Sequence, residues 1–565
     1  MTAMPLDDTA NWANNDPIRW TRTGVIGMLI GRRPIVAAAA VSGLMFDARS
    51  GRAIDVEPPC GPVRGLAAEG VTAFLGLPYA AAPTGARRYN SPRPARRWTA
   101  PRDATRAGAA SIQTLGGAAA WLYESATPQS EDCLFLNVWT PGVTGRRPVM
   151  VWIHGGAWRT GRGNAVGTNG TALAKTGDVV VVTINYRLGA LGWLAHPALA
   201  DSETGAFANW GLQDQVAALR WVQANIAAFG GDPANVTLFG QSAGGSSTAS
   251  IAQDSRNAGL LHKAIIESGS LHGAPGFPEI ATAAAYAEAL AKRLDVTVPE
   301  LRHVPAMTLH QAELTLARDP VMVRSLGRPP VLPVLDGVVL KVWPRDGALP
   351  AIPLLIGTTR TEGTFWYDLI GPDGKQVPGL APPADRARLV SMIHDLVAIY
   401  RPEGANIPPE HIADAYAAAA RQRGTSDTPL PLWIAAYTDI VFRLRARAAA
   451  ERHVAAGHPT FLYEFARPLV PPAHGVPHTA EIPFVFGTYA DPFFAKKAGD
   501  GADSATLSAF MLGTWAAFAH RGVPDKNWTP AADPMPSVNI LGGSDGLHAV
   551  DHNLRTEELA AWNMR

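Results

Sequence analysis

The chain reads as an α/β protein built on a doubly wound, mostly parallel sheet, and three features predict it. Near-continuous aliphatic runs of strand length, PVMVWIHGG (148–156) and VVVVTINYRLG (179–189), are what strands buried on both faces require. Between them and the next such run, GLQDQVAALRWVQANIAAF (211–229) sets Leu212, Val216, Leu219, Val222 and Ile226 at helical spacing. Strand and helix alternate along the chain, the order that yields parallel strands joined by helical crossovers.

From the amino end, Met28-Leu-Ile-Gly-Arg32-Arg33 precedes an apolar stretch, Pro34 to Phe46, then Asp47 and small residues up to Ala53. A basic pair before a short apolar run reads as an export signal, and the paired arginines suggest the twin-arginine route. Residues 1–53 are therefore expected to lie outside the fold and the protein to be periplasmic or extracellular, with Met28 as an alternative start. If the segment is instead only a tail, the location is cytoplasmic. From Ile54 to Arg565 one large domain is expected, because composition does not break. NVTLFGQSAGG (235–245) and AIPLLIGTT (351–359) are further buried strands, and the Ala-rich stretches 279–295 and 410–422 are helices. The Pro-rich pieces 328–333, 377–383 and 467–477 are surface connections.

Composition narrows the function. Lys and Arg number 49 against 48 Asp and Glu among 565 residues, so no basic field exists to hold nucleic acid or to steer the chain to an anionic membrane. Hydrophobic residues at 47%, with 16 Trp, exclude disorder, and no uncharged run is both apolar throughout and as long as the ~18 residues of a membrane span. Two cysteines, Cys60 and Cys133, allow one bridge at most.

Gly240-Gln241-Ser242-Ala243-Gly244 has the G-x-S-x-G form in which a tight strand-to-helix turn exposes a nucleophilic serine. In a chain this rich in glycine the pattern arises by chance about 0.3 times, and a second match exists, Gly542-Gly543-Ser544-Asp545-Gly546. Context separates them. The first follows the strand NVTLF and precedes small residues able to pack a helix on a sheet; the second has neither, and reads as a turn. Upstream, His154-Gly155-Gly156-Ala157-Trp158 follows a strand as a glycine-rich loop whose N–H groups can hold a developing oxyanion.

With these two motifs the chain resembles the type-B carboxylesterases of the α/β-hydrolase superfamily, on the bacterial carboxylesterase side. The likeness rests on FLGLPYAAAPTG (74–85), SEDCLFLNVWTP (130–141), PVMVWIHGGAW (148–158), NYRLGALGWL (185–194), FGGDPANVTLFGQSAGG (229–245) and ESGS (267–270). It implies an α/β-hydrolase fold with helical insertions forming a gorge over the site. It also implies ester hydrolysis through an acyl-enzyme, with no metal or organic cofactor and only ester and water as partners. Residue by residue, the resemblance makes Ser242 the nucleophile, Glu362 of IGTTRTEGTFW the acid and His478 of HTAEIPFVFG the base. His474 is the competitor, but only His478 keeps the register to Glu481 and PFVFG. The oxyanion donors become the N–H groups of Gly156, Ala157 and Ala243. Gly155, Gln241 and Ser268 are supporting residues, and Trp158, Phe365 and Trp366 line the substrate pocket.

The chain also departs from the family. Cholinesterases carry Glu where Gln241 stands, and a choline-binding Trp in the loop before SEDC; here that loop offers Trp121 and Tyr123. The usual partner of the SEDC cysteine lies in a Cys-x-Gln segment, which reads Ser111-Ile112-Gln113, so Cys133 either pairs with Cys60 or stays free. The expectation is a carboxylesterase of broad or xenobiotic ester specificity. The alternatives are an esterase dedicated to one natural-product, toxin or polymer ester, a lipase, and a noncatalytic binding protein on the same fold. Neither nucleic-acid binding nor stable membrane insertion is expected, and the oligomeric state is left open.

Overall fold

The computed structural model describes residues 51–565 apart from 117–119, 124–127, 270–276, 319–330, 348–349, 372, 402–405, 533–535 and 563–565. The export-signal segment and its cleavage site thus lie outside the described residues, as do parts of the 114–129 loop and of the 328–333 connection. The strands are β1 (Arg52–Val56), β2 (Val63–Ala68), β3 (Val71–Pro78), β4 (Arg102–Asp103), β5 (Phe135–Thr140), β6 (Arg147–Ile153) and β7 (Val180–Ile184). They continue with β8 (Gly231–Gln241), β9 (Lys263–Glu267), β10 (Leu354–Thr359), β11 (Thr460–Phe465), β12 (Val538–Gly543) and β13 (Gly546–Asp551). β1 starts two residues before the boundary expected at Ile54, because Arg52 already pairs with Ala67 of β2.

These strands form one sheet in the order β1-β2-β3-β5-β7-β6-β8-β9-β10-β11-β12-β13, with β4 beside β2. From β7 through β12 every neighbouring pair is parallel, and antiparallel strands close both margins. The aliphatic runs occupy the parallel centre, where β7 and β9 are buried at every residue.

Alternation along these strands sorts the core into two layers. Val149 and Val151 of β6 and Val236 and Leu238 of β8 share a cluster with Leu212, Leu219 and Val222 of the helix Trp210–Asn225. Met150, Trp152 and Phe239 point the other way, into a cluster with Met511, Leu512 and Trp515 of the helix Ala502–Arg521. The sheet is therefore covered on both faces, as a doubly wound architecture demands. The helices expected at 279–295 and 410–422 are Ile280–Arg293 and Pro409–Gln422.

Between β10 and β11 lies a helical insertion with a core of its own, built from Leu389, Ile393, Ile412, Tyr416, Trp433 and Phe442 among others. Its last helix packs Ala446, Ala449 and Ala450 on Leu354, Ile356 and Leu462, and a buried ion-pair cluster also ties it to the sheet. In the π-helical turn Asp439–Arg443, the Arg443 guanidinium donates to Glu464 of β11 at 2.8 Å and also contacts Asp439. Arg360 donates to the other Glu464 oxygen at 2.7 Å. Burial alone would raise the Glu464 carboxyl, but these guanidiniums hold it below its ordinary value. Replacing Glu464 by Ala takes the shared carboxylate from Arg360 and Arg443 and leaves the buried Arg443 with Asp439 alone. We expect a loss of about 3–5 kcal/mol, read as a lower guanidinium midpoint, whereas Arg386→Ala at the exposed pair with Asp414 shifts it little.

Candidate active site

The strand β8 ends at Gln241 and the helix Ala243–Ala252 begins at Ala243, leaving Ser242 alone at the turn, with φ 58° and ψ −122°. A side chain rarely tolerates that backbone, so the surroundings must enforce it. The Ser242 N–H donates to the Glu267 carbonyl at 2.9 Å, and the Ser242 carbonyl accepts the Ser246 N–H at 2.9 Å, which opens the helix. The glycines of the motif have a steric reason. A Cβ on Gly240 would stand 2.6 Å from the Gly244 carbonyl carbon, and one on Gly244 would stand 2.0 Å from the Ile153 oxygen. Ser544, by contrast, sits in the turn between β12 and β13, its hydroxyl donating to its neighbour Asp545 at 3.3 Å.

Register brings the remaining groups to the same edge. Ile153 pairs with Gly240, Gln241 with Glu267, and Glu267 with Gly357, so β6, β8, β9 and β10 end together. Functional groups of parallel sheets collect at such carboxyl ends. Glu362 follows β10 and is fully buried. Its Oε1 accepts the Thr359 N–H at 2.8 Å and the Ser268 hydroxyl at 2.7 Å, and its Oε2 lies 2.5 Å from His478 Nδ1. With Nδ1–H donating to Glu362, the His478 Nε2 is left as an acceptor facing the elbow. The Gln241 amide nitrogen lies 3.1 Å from that Nε2, one residue from Ser242. His474 is elsewhere: its side chain is 49% exposed and pairs with Asp368, against 2% for His478.

The loop after β6 is built as a cradle. Gly156, Ala157 and Trp158 all take positive φ, at 108°, 53° and 57°. Among the described residues, no protein acceptor takes the N–H of Gly156, Ala157 or Ala243, which leaves three donors free for a negatively charged oxygen. A Cβ on Gly155 would come 2.8 Å from the Gln241 carbonyl oxygen, so this glycine lets the loop approach the elbow. Gln113 braces the loop from behind, accepting the Gly161 N–H at 2.7 Å and donating to the Gly161 carbonyl at 2.9 Å. His154 stacks on Tyr186 with centroids 4.3 Å apart, and burial pushes its imidazole down to about 4, so it is neutral at ordinary pH.

Aromatic rings enclose the imidazole. Trp366, Phe442 and Phe365 stand 4.9, 5.0 and 5.7 Å from the His478 ring. Trp158 packs on Trp193 and Phe277 and donates to Ser247 Oγ at 3.1 Å. The Tyr123 hydroxyl reaches the Gly155 carbonyl at 3.4 Å. Trp121 does meet a cation, but one of the chain's own: the Lys497 ammonium lies 4.1 Å from its ring and from that of Phe493, and donates to the Trp121 carbonyl at 2.6 Å. Burial presses the Lys497 amine down to about 7, while the rings favour its charged form. Both cysteines are free thiols. Cys60 sits by Trp221 and Asn225, whereas Cys133 lies by Ser111, the residue in the family's cysteine position.

Sequence reasoning had not singled out Phe442, Lys497 or Tyr186, and Gln113 entered only as a motif letter. Each owes its place to long-range packing: Phe442 reaches His478 from the insertion and Lys497 reaches Trp121 from 376 residues away.

A strained serine at the end of a central parallel strand, a buried carboxylate–imidazole pair at the next strand ends and a glycine-rich loop facing them are arranged on an α/β-hydrolase fold. The "Carboxylesterase family" model matches residues 52–562. The chain belongs to that family and is a carboxylic ester hydrolase. It is 34% identical over 492 residues to the para-nitrobenzyl esterase of Bacillus subtilis (strain 168), covering 85% of this chain and 93% of that one. It is 35% identical over 503 residues to the fumonisin B1 esterase of Sphingopyxis macrogoltabida, covering 86% of each. Among solved structures a thermophilic pNB esterase superposes with a TM-score of 0.74 at 31% identity, over 90% of this chain and 99% of the other.

Ser268→Ala removes one of two donors to Glu362 Oε1 and should lower kcat/KM roughly tenfold, with Thr359 and His478 still holding the carboxylate. Ser268→Thr, which keeps the hydroxyl, should recover part of the loss in the same assay.

Proposed function

We propose that Ser242, His478 and Glu362 are the nucleophile, base and acid of a carboxylesterase of broad ester specificity, exported by way of the Arg32-Arg33 segment. The observation that carries this reading is the 2.5 Å contact of His478 Nδ1 with buried Glu362, at the same sheet edge as the strained Ser242. Ser242 Oγ attacks the ester carbonyl carbon as its proton passes to His478 Nε2. The oxygen that gains charge lies against the N–H groups of Gly156, Ala157 and Ala243. Collapse breaks the bond to the alcohol, which leaves with the proton from His478. Water then attacks the acyl-serine, gives its proton to the same nitrogen and releases the acid as Ser242 recovers its hydrogen. Glu362 orients the ring and balances the imidazolium throughout.

Trp158, Phe365 and Trp366 favour acyl or alcohol groups with flat, apolar faces, consistent with a xenobiotic or aromatic ester. A narrower reading, one natural-product or toxin ester, is favoured by the similarity to a fumonisin esterase. Export draws its support from the basic pair and the short apolar run that follows it.

Hydrolysis of p-nitrophenyl esters with acyl chains of increasing length, by the wild type and by Ser242→Ala, tests the reading. We expect turnover that peaks at short acyl chains and falls by about 10⁴-fold or more in the variant, together with loss of fluorophosphonate labelling. Turnover undiminished in Ser242→Ala would overturn the assignment, and an optimum at long chains would make the enzyme a lipase. A periplasmic or extracellular product whose amino terminus lies just ahead of Arg52 is the expected result for export; an unprocessed cytoplasmic chain would refute it.

A further inference from the structure

Beside the candidate triad lie two buried carboxyl groups that ester chemistry does not use. Glu267 ends β9, in register with Gln241 on one side and Gly357 on the other. Glu481 follows His478 by three residues and precedes the short helix Ile482–Val485. Both are fully enclosed. Glu267 Oε1 accepts the Trp515 indole N–H at 2.7 Å, but its Oε2 has no partner among the described residues, and neither oxygen of Glu481 has one. The Tyr463 hydroxyl likewise has no partner among the described residues, and the charges of Glu267, Glu481 and Glu362 all act on it.

Charge accounting decides the state of this pair. A carboxylate removed from water must find cations or donors, or else keep its proton. Two neighbouring glutamates show the first solution: Glu464 is held by Arg443 and Arg360, and Glu362 by an N–H, a hydroxyl and an imidazole. Glu267 and Glu481 have no ion pair with any described Arg, Lys or His; Glu267 has the Trp515 indole N–H, and Glu481 is helped only by its own backbone N–H, which is outweighed. The titratable groups acting on them are each other, Glu362 and Tyr463, all acids. Burial first, and for Glu481 the charges of Glu267 and Glu362 as well, drive both carboxyls well above the ordinary range.

We propose that Glu267 and Glu481 are buried carboxylic acids that hold their protons near neutral pH, which leaves Glu362 as the carboxylate paired with His478. The proposal deepens the triad reading and rests on it. A general base must be unprotonated to take the Ser242 proton, and each further buried anion near the imidazole would stabilise the imidazolium instead. A neutral pair fills the space between β9, the His478 turn and the helix carrying Trp515 without holding the base in its charged form.

The test compares the full-length wild type with Glu481→Gln at about pH 7 by infrared difference spectroscopy, alongside the pH profile of kcat/KM. The neutral amide should remove the carbonyl stretch of a protonated carboxylic acid, leave the carboxylate bands unchanged, keep kcat/KM within about threefold and leave the acid limb where it was. Loss of a carboxylate band in its place, or an acid limb displaced by the neutral variant, would overturn the proposal. Should Glu481→Gln fail to fold, Glu267→Gln gives the same difference spectrum. Because the infrared signal needs no turnover, an inactive enzyme with the acid band present would count against the triad reading and not against the protonated pair.

Discussion

The backbone turn at Ser242 constrains everything around it. A residue at φ 58° and ψ −122° is strained, and here the strain is held by β6, β8 and β9 together. The Glu267 carbonyl fixes the Ser242 N–H, and the Ile153 carbonyl passes so close to Gly244 that no side chain fits. Such an approach exists only while Ile153 stays opposite Gly240 and Gln241 opposite Glu267. A parallel sheet buried on both faces supplies that register, because a one-residue slip would send Trp152 and Phe239 into the wrong layer. The apolar packing of the sheet therefore sets the chemistry of its edge.

The buried glutamates divide the labour of the same edge. Glu464 carries its charge against two guanidiniums and serves as a fastening. Glu362 is held by a backbone N–H, a hydroxyl and an imidazole. Glu267 and Glu481 have neither cations nor enough donors. Desolvation is common to all, so the partners decide which carboxyl is an anion.

Much of this was legible in the sequence, and what was legible was local. The runs 148–156, 179–189 and 235–245 carried the parallel sheet because strands buried on both faces leave no polar alternation. Ser242 was separable from Ser544 because an elbow needs a strand before it and small residues after it, which only the first has. His478 was separable from His474 by the spacing to Glu481, and the two now differ as a buried ring and a surface ion pair. Side chains that arrive from distant segments were not legible. Nothing in TDIVFRLRA marks Phe442 as a neighbour of His478, and nothing in FFAKKAG tells Lys497 from Lys496 beside it, although only Lys497 enters the aromatic box. Glu267 and Glu481 were visible as motif letters, but their state depends on which charges surround them, and that is a property of the fold.

The helical insertion belongs to the same system. Phe442 and Trp366 stack on one another with centroids 5.9 Å apart and both pack against the His478 ring. Arg443, the next residue after Phe442, is the group bound to Glu464 of β11. One turn of chain thus carries both the fastening and the ring that confines the imidazole. The turn is π-helical, and the extra residue it accommodates lets Phe442 and Arg443 face the site and the strand at once. Asp439 at its start is bonded to Tyr416 and Arg555, which joins the insertion's own core and the carboxyl-terminal segment to the same point. The rings that confine the His478 imidazole are thus placed by the ion pair beneath them, and a change to that pair would be felt at the ring.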